Sequence, residues 1–466
     1  MYLLSLTNWD YVLITILLGA NFITAYLFRR KNSTSEDFIF AQTRVDKILG
    51  YIGSVGLIEF ILAGIAGAYL GFNAIYYVAV ALILQLWGQR VLVKRYLAAN
   101  VVSLNDYLGI TVNRYWAVFI ALFNIIFLIL CASLVTAIAF KTLQAIMGWG
   151  FINNIMGLLG FTIILILIGG KASISYNSLV NILIIVVIFV LGITIALINL
   201  GGIGAVINNL HNLAASSNLP AAYYIFPVNN TRLLWVSSAI IIGVAGYRLI
   251  NFNLRPNIEI NKRSFFSRSC IAVILIIPGI IAITTPNNTG KIAGKEIVTI
   301  MAQLPDGQTG YVVKAVDGKQ TTSSPGILPP ILNTKTGLIE PGKYNYGIAS
   351  IVALRHYLPK NAGFCILLIL LAGFMLNISQ YMLRLGQITV NNILLPLNLL
   401  AKYGKIGEIW SLQVSIVAYT GLILVLAYFM FLHYDLLFFV SLILIFMIMP
   451  LLVVIGLILI NRLKLI

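Results

Sequence analysis

The chain has 466 residues, 60% of them hydrophobic and 9% charged, with a mean hydropathy of +1.00 and a formal net charge of +17. That composition excludes a water-soluble globule, which needs more polar surface to cover its core. The basic balance does not signal nucleic acid either. Twenty of the 30 lysines and arginines fall on alternate connections or helix ends, the bias that marks cytoplasmic loops.

Eleven apolar runs are long enough to cross a bilayer core of roughly 30 Å. In chain order they are Tyr11–Phe28, Leu49–Phe72, Ala74–Val93, Tyr115–Met147, Phe151–Gly169, Ser178–Leu200, Leu233–Asn253, Phe266–Thr284, Tyr357–Leu383, Ile409–Phe431 and Leu436–Ile460. The predicted class is an all-α polytopic membrane protein. Before the first run stands NWD, with neither a basic stretch nor a small-residue cleavage site, so that run reads as a retained helix and not as a signal peptide. The charge bias puts the N-terminus outside and the C-terminus in the cytoplasm, a parity that eleven crossings satisfy. A bacterial inner membrane is the expected location.

Two outer segments break the pattern. Residues 201–232 are polar and Asn-rich, and read as re-entrant or loop-like. Residues 285–345 form a long insertion with PDG and VDG turn signals around alternating runs such as YVVKAV, which reads as a small β-hairpin.

Most of the usual carriers of chemistry are missing. Cys131, Cys270 and Cys365 are scattered in or beside apolar runs, as core-packing cysteines are. His211, His356 and His433 lack metal-ligand spacing. No GxxxxGK[ST] phosphate loop occurs, and no Ser-His-Asp or Cys-His arrangement is suggested. Neither an ATP-driven pump nor an enzyme is expected, and no organic cofactor.

The acids are more informative. Twelve of the thirteen sit in loops or at span ends, whereas Glu59 lies deep within GSVGLIEFILAGIAGAYLGF (Gly53–Phe72). An ionisable group inside a span is costly unless paired, hydrated or protonated, so it marks a pathway by default. The competing reading is a neutral Glu hydrogen-bonded to a neighbouring helix.

Several segments carry a family resemblance. Trp9-Asp10-Tyr11, Arg29-Arg30 and STSEDFIFA (Ser33–Ala41) resemble the opening of the sodium:solute symporter family, which includes the sodium/glucose and sodium/proline cotransporters. SLNDYL (Ser103–Leu108) with Arg114-Tyr115, GGKASISYNSLVN (Gly169–Asn181) and MPLLVVIGLILINR (Met449–Arg462) resemble further stretches of it in the same order. The resemblance implies a leading helix with its loop (1–48) and a ten-helix core of two inverted five-helix repeats. The first repeat would span 49–200. After the outer segment 201–232 the second would span 233–460, interrupted by 285–345, with a cytoplasmic tail at 461–466.

In such folds the first helix of each repeat breaks at mid-membrane, where solute binds. Leu49–Phe72 and Leu233–Asn253 are the implied pair. Glycines stud both: Gly53, Gly56, Gly64 and Gly67, then Gly243 and Gly246. The same residues equally suit close helix packing. By resemblance Glu59 and Phe60 face the solute cavity, and Phe60, replacing a polar residue common in sugar carriers, argues for a smaller or more apolar solute. Arg248, with Asn251 nearby, either neutralises Glu59, clamps a substrate carboxylate, or snorkels to the inner surface.

The family's sodium ion sits between the first and eighth core helices. The matching positions here are the backbones of Gly53, Gly56 and Gly373, then Leu376 and Asn377 in place of two hydroxyls. Ser379 joins only if the register slips. Asn177 and Ser178 replace a Thr-Asp pair, and Arg384 lies two turns beyond Asn377 on the expected helix. The expected function is therefore secondary transport of a small organic solute by alternating access. Its cation is sodium by family default or a proton on Glu59, with uncoupled exchange a further reading. The alternative is a transporter-like solute sensor or accessory subunit. Beyond solute, cation and lipid bilayer, no partner is implied, nucleic acid included.

Overall fold

A computed structural model describes residues 8–28, 38, 45, 48–49, 56–99, 101, 107, 109–110, 114–147, 150–216, 262–285, 289–292, 295–303, 309–316, 327–328, 330–332, 339–344, 346–359, 362–395, 397 and 404–432. The runs predicted at 233–253 and 436–460 lie outside these residues, as do Gly53, Arg248 and Asn251.

Ten helices organise the described chain: α1 Asn8–Leu27, α2 Leu57–Leu70, α3 Asn73–Ala99, α4 Arg114–Met147, α5 Phe161–Leu200, α6 Ile203–Ser216, α7 Lys262–Thr284, α8 Ala349–Tyr357, α9 Gly363–Ile388 and α10 Gly404–Leu432. A helical turn at Phe151–Asn154 and a π-turn at Ile155–Gly160 lead into α5, and a second π-turn, Thr389–Leu394, extends α9. Helix is the form an apolar span must take, because lipid offers backbone N–H and C=O groups no partners. Among the described residues six stretches are long and apolar enough to cross a membrane, and two shorter apolar helices, Leu57–Leu70 and Val273–Thr284, accompany them.

The runs predicted as separate at Phe151–Gly169 and Ser178–Leu200 are two helices that abut, the second starting earlier than expected, at Lys171. Within α5 the two limbs meet at Gly170, whose non-helical φ of 59° and ψ of −163° define a backbone region open essentially to glycine alone. Where 201–232 reads as loop-like, α6 occupies its first half. Val206, Leu210 and Ala214 share one buried face of it, a helical period that the surrounding asparagines obscure.

α2 is central, packing on α7, α8 and α9, while α9 also packs against α4, α5 and α10. Lipid tails are as apolar as leucine, so helices associate in membranes through close packing. The glycines show where. A Cβ on Gly279 of α7 would collide with the backbone carbonyl of Gly64, one on Gly67 with the carbonyl of Ile276, and one on Gly64 with the Ser350 hydroxyl of α8. By contrast α10 turns Trp410, Val414, Val417, Val425 and Phe429 outward, an exposed apolar face that suits lipid.

A polar clasp holds α1 to α5. Asn21 and Asn181, both almost fully buried, exchange amide hydrogen bonds of 3.2 Å in each direction, and the Thr24 hydroxyl donates to Asn177 Oδ1. The insertion after α7 carries more than one hairpin. β1 (Thr289–Ile292), β2 (Lys295–Gln303) and β3 (Thr309–Val316) form an antiparallel sheet, and β4 (Pro330–Leu332) pairs with β5 (Ile339–Tyr344). The chain returns to the helices where Ile327 N donates to Ala282 O at 2.9 Å and Leu328 is buried against them. At the end of α8 the Tyr357 hydroxyl lies 2.9 Å from Thr285 Oγ1.

Candidate functional site

α2 does not run the length of the predicted span. Its helical bonding starts at Gly56, whose carbonyl accepts from Phe60 N at 3.2 Å and whose own backbone is extended (φ −111°, ψ −169°). A helix that starts inside an apolar region exposes N–H groups with no partners in the helix, and these must find acceptors. Glu59, at the third helical position, reaches back so that Gly56 N donates to its Oε2 at 3.0 Å, one half of a capping box. Asn377 of α9 supplies the rest. Its Oδ1 accepts from Ile58 N at 3.0 Å, and its Nδ2 donates to Glu59 Oε2 at 3.1 Å.

The predicted residues Gly56, Glu59, Gly373 and Asn377 thus meet at one junction between α2 and α9. Gly373 and Asn377 are one turn apart and share a face of α9. A Cβ on Gly373 would come within 3.0 Å of Leu57 N, so glycine there lets α9 cross directly over the first turn of α2. Gly56 is fixed by space, not dihedral angle, since a Cβ on it would collide with the Asn377 amide. The glycines of this span therefore divide their labour: Gly56 at the break, Gly64 and Gly67 at the α7 and α8 contacts.

Other predicted residues lie elsewhere. Phe60 is 1% exposed and edge-on to Phe189 of α5, with ring centroids 4.7 Å apart. Ser379 is buried two residues beyond Asn377, a spacing that turns it away from the face presented to α2. Leu376 is 1% exposed. Asn177 accepts from Thr24, toward α1.

Two features escape a search confined to acids. Cys131 of α4, 4% exposed, lies within Coulombic reach of the Glu59 carboxylate. The Asn21–Asn181 pair consists of two amides deep in apolar runs, a signal visible to the same search had it been extended to asparagine.

The electrostatics of the junction follow from its donors. Gly56 N, Ile58 N and Asn377 Nδ2 all direct N–H groups inward, and the N-terminus of α2 adds the positive end of its dipole. Among the described residues, Oε1 of Glu59 accepts no hydrogen bond.

Comparisons with known proteins agree on the architecture. A family model described as "SSF: Sodium:solute symporter family" matches residues 38–297, more than half of the chain. No curated protein matches it in sequence. A solved structure of a Na+-coupled sialic acid symporter, in a substrate-bound outward-open state, is similar in fold with a TM-score of 0.65. The two are 11% identical over 95% of this chain and 86% of the other.

Proposed function

The chain belongs to the sodium:solute symporter family, and on that premise we propose that it carries a small organic solute across the membrane by alternating access. It is an integral membrane protein and a transporter, not an enzyme, and its family couples solute movement to a cation. The observation that supports alternating access most directly is the start of α2 at Gly56, inside the predicted span, with Glu59 in its first turn. A break of this kind opens backbone groups to a cavity at the depth where such carriers bind their cargo.

Glu59 is the proposed centre of solute or proton contact, because one of its carboxylate oxygens is uncommitted among the described residues. Arg248 and Asn251 join it in the proposal from outside those residues. Phe60 contributes by packing behind the site on Phe189. The orientation proposed is N-terminus outside and C-terminus in the cytoplasm, in a bacterial inner membrane.

The test is uptake into proteoliposomes of a panel of labelled amino acids, sugars and organic acids, with sialic acid included because the solved neighbour carries it. Each is measured with sodium, proton or no imposed gradient. Uptake above empty vesicles, lowered at least tenfold by Glu59→Gln, supports a carrier centred on Glu59. Saturable binding without uptake would replace the carrier with a sensor.

A further inference from the structure

We propose that the junction of α2 and α9 is closed by this chain's own Asn377 amide and Glu59 carboxylate and takes no sodium ion. The inference rests on the transporter reading only for the expectation that an ion would bind there.

A hard cation needs a shell of oxygens with free lone pairs. Among the described residues the junction offers the reverse. Three N–H groups point into it, from Gly56, Ile58 and Asn377. The two acceptor oxygens that meet them are committed, which leaves Glu59 Oε1 as a single free side-chain oxygen there among the described residues, short of the shell a hard cation needs. Asn377 Oδ1 takes the Ile58 proton, and Glu59 Oε2 takes one from Gly56 and one from Asn377. Where the family pattern asks for a hydroxyl at 376, leucine offers only hydrocarbon, and Ser379 sits off the shared face.

Space gives an independent argument. A Cβ on Gly56 would collide with the Asn377 amide, and one on Gly373 would reach within 3.0 Å of Leu57 N. These close approaches put α9 and the first turn of α2 in direct contact, with the Asn377 amide filling the space above Gly56. The work of a cation, drawing α9 onto the start of α2, is done by one side-chain amide. Its oxygen serves the helix and its nitrogen serves the carboxylate.

Hydrogen–deuterium exchange on the purified full-length protein in detergent reads the junction itself. The amides of Gly56 and Ile58 are followed in sodium chloride and in choline chloride at one ionic strength. We expect equal protection in the two salts for the wild type, and at least a tenfold faster exchange in both for Asn377→Leu. Asn377→Asp replaces the donor with a second carboxylate oxygen facing Glu59. Its oxygen can still accept from Ile58 N, so protection in choline should fall less than in Asn377→Leu and should rise in sodium, because that variant creates the oxygen-rich site the wild type lacks. Protection of Ile58 that appears in the wild type only with sodium would overturn the proposal, and that measurement needs no variant to fold. The outcome is separable from transport. Absent uptake with sodium-independent protection removes the carrier reading and leaves this one standing, whereas robust uptake with sodium-only protection does the opposite.

Discussion

If Asn377 fills the space above Gly56, a methyl group at position 56 and loss of the amide at 377 must cause the same damage. Asn377→Ala removes the acceptor from Ile58 N–H and a donor from Glu59. A helix N-cap contributes about 0.5–2 kcal/mol, and a hydrogen bond to a charged group about 1.5–3 kcal/mol. Their sum, about 2–5 kcal/mol, is the expected loss. Gly56→Ala meets no backbone obstacle, because φ −111° and ψ −169° are open to alanine. Its Cβ instead displaces the Asn377 amide, the end of a side chain that can swing aside, and so breaks the same two bonds. The double variant should therefore cost about as much as either single one. Unfolding of all four proteins in one mild detergent, followed by heat or denaturant, gives the coupling. Additivity within about 0.5 kcal/mol, the behaviour of independent sites, would refute the reasoning.

Three further outcomes follow from the packing and the buried polar groups. Gly279→Ala should lower the unfolding midpoint by several degrees, since its Cβ meets the Gly64 carbonyl and overpacking costs about 1–3 kcal/mol; Gly19→Ala, with nothing within 4 Å, should not, and thermal scans of both decide it. Asn21→Leu strands Asn181 in an apolar contact and should cost about 0.6–2 kcal/mol, while adding Asn181→Leu should return part of that, as paired unfolding curves would show. Burial holds His356 below the ordinary histidine value of about 6.5. The unfolded chain therefore binds that proton first, and stability should fall as pH drops below that value. His356→Gln should flatten that part of a stability–pH curve.

The membrane class and the family were legible because they rest on long apolar runs and ordered motifs, signals that span many residues. The meeting of Gly56, Gly373 and Asn377 was legible through resemblance. What happens there was not, because a sequence gives the kind of side chain at 377 but not which of its ends faces which helix. Glu59 stood out as a lone acid. Its hydrogen bond back to Gly56 depends on the helix starting at 57, and apolar composition alone does not mark a helix start. The helix at 203–216 was hidden for a related reason. Its buried face is only Val206, Leu210 and Ala214 wide, and Asn208, Asn209 and Asn212 lie between them.

The kink at Gly170 has a mechanical meaning. α5 spans 40 residues in two limbs, 161–169 and 171–200, the longer of which is about 45 Å of helix at 1.5 Å per residue. Neighbouring spans are usually joined by loops, whose slack lets one move while the other stays. Here the joint is a single residue's pair of torsions, held in a region that only glycine occupies comfortably. With a single residue between them, the two limbs change their relative angle only through the torsions of Gly170. The 171–200 limb also carries the Asn21–Asn181 clasp, so Gly170 joins a limb that grips α1 to the one before it.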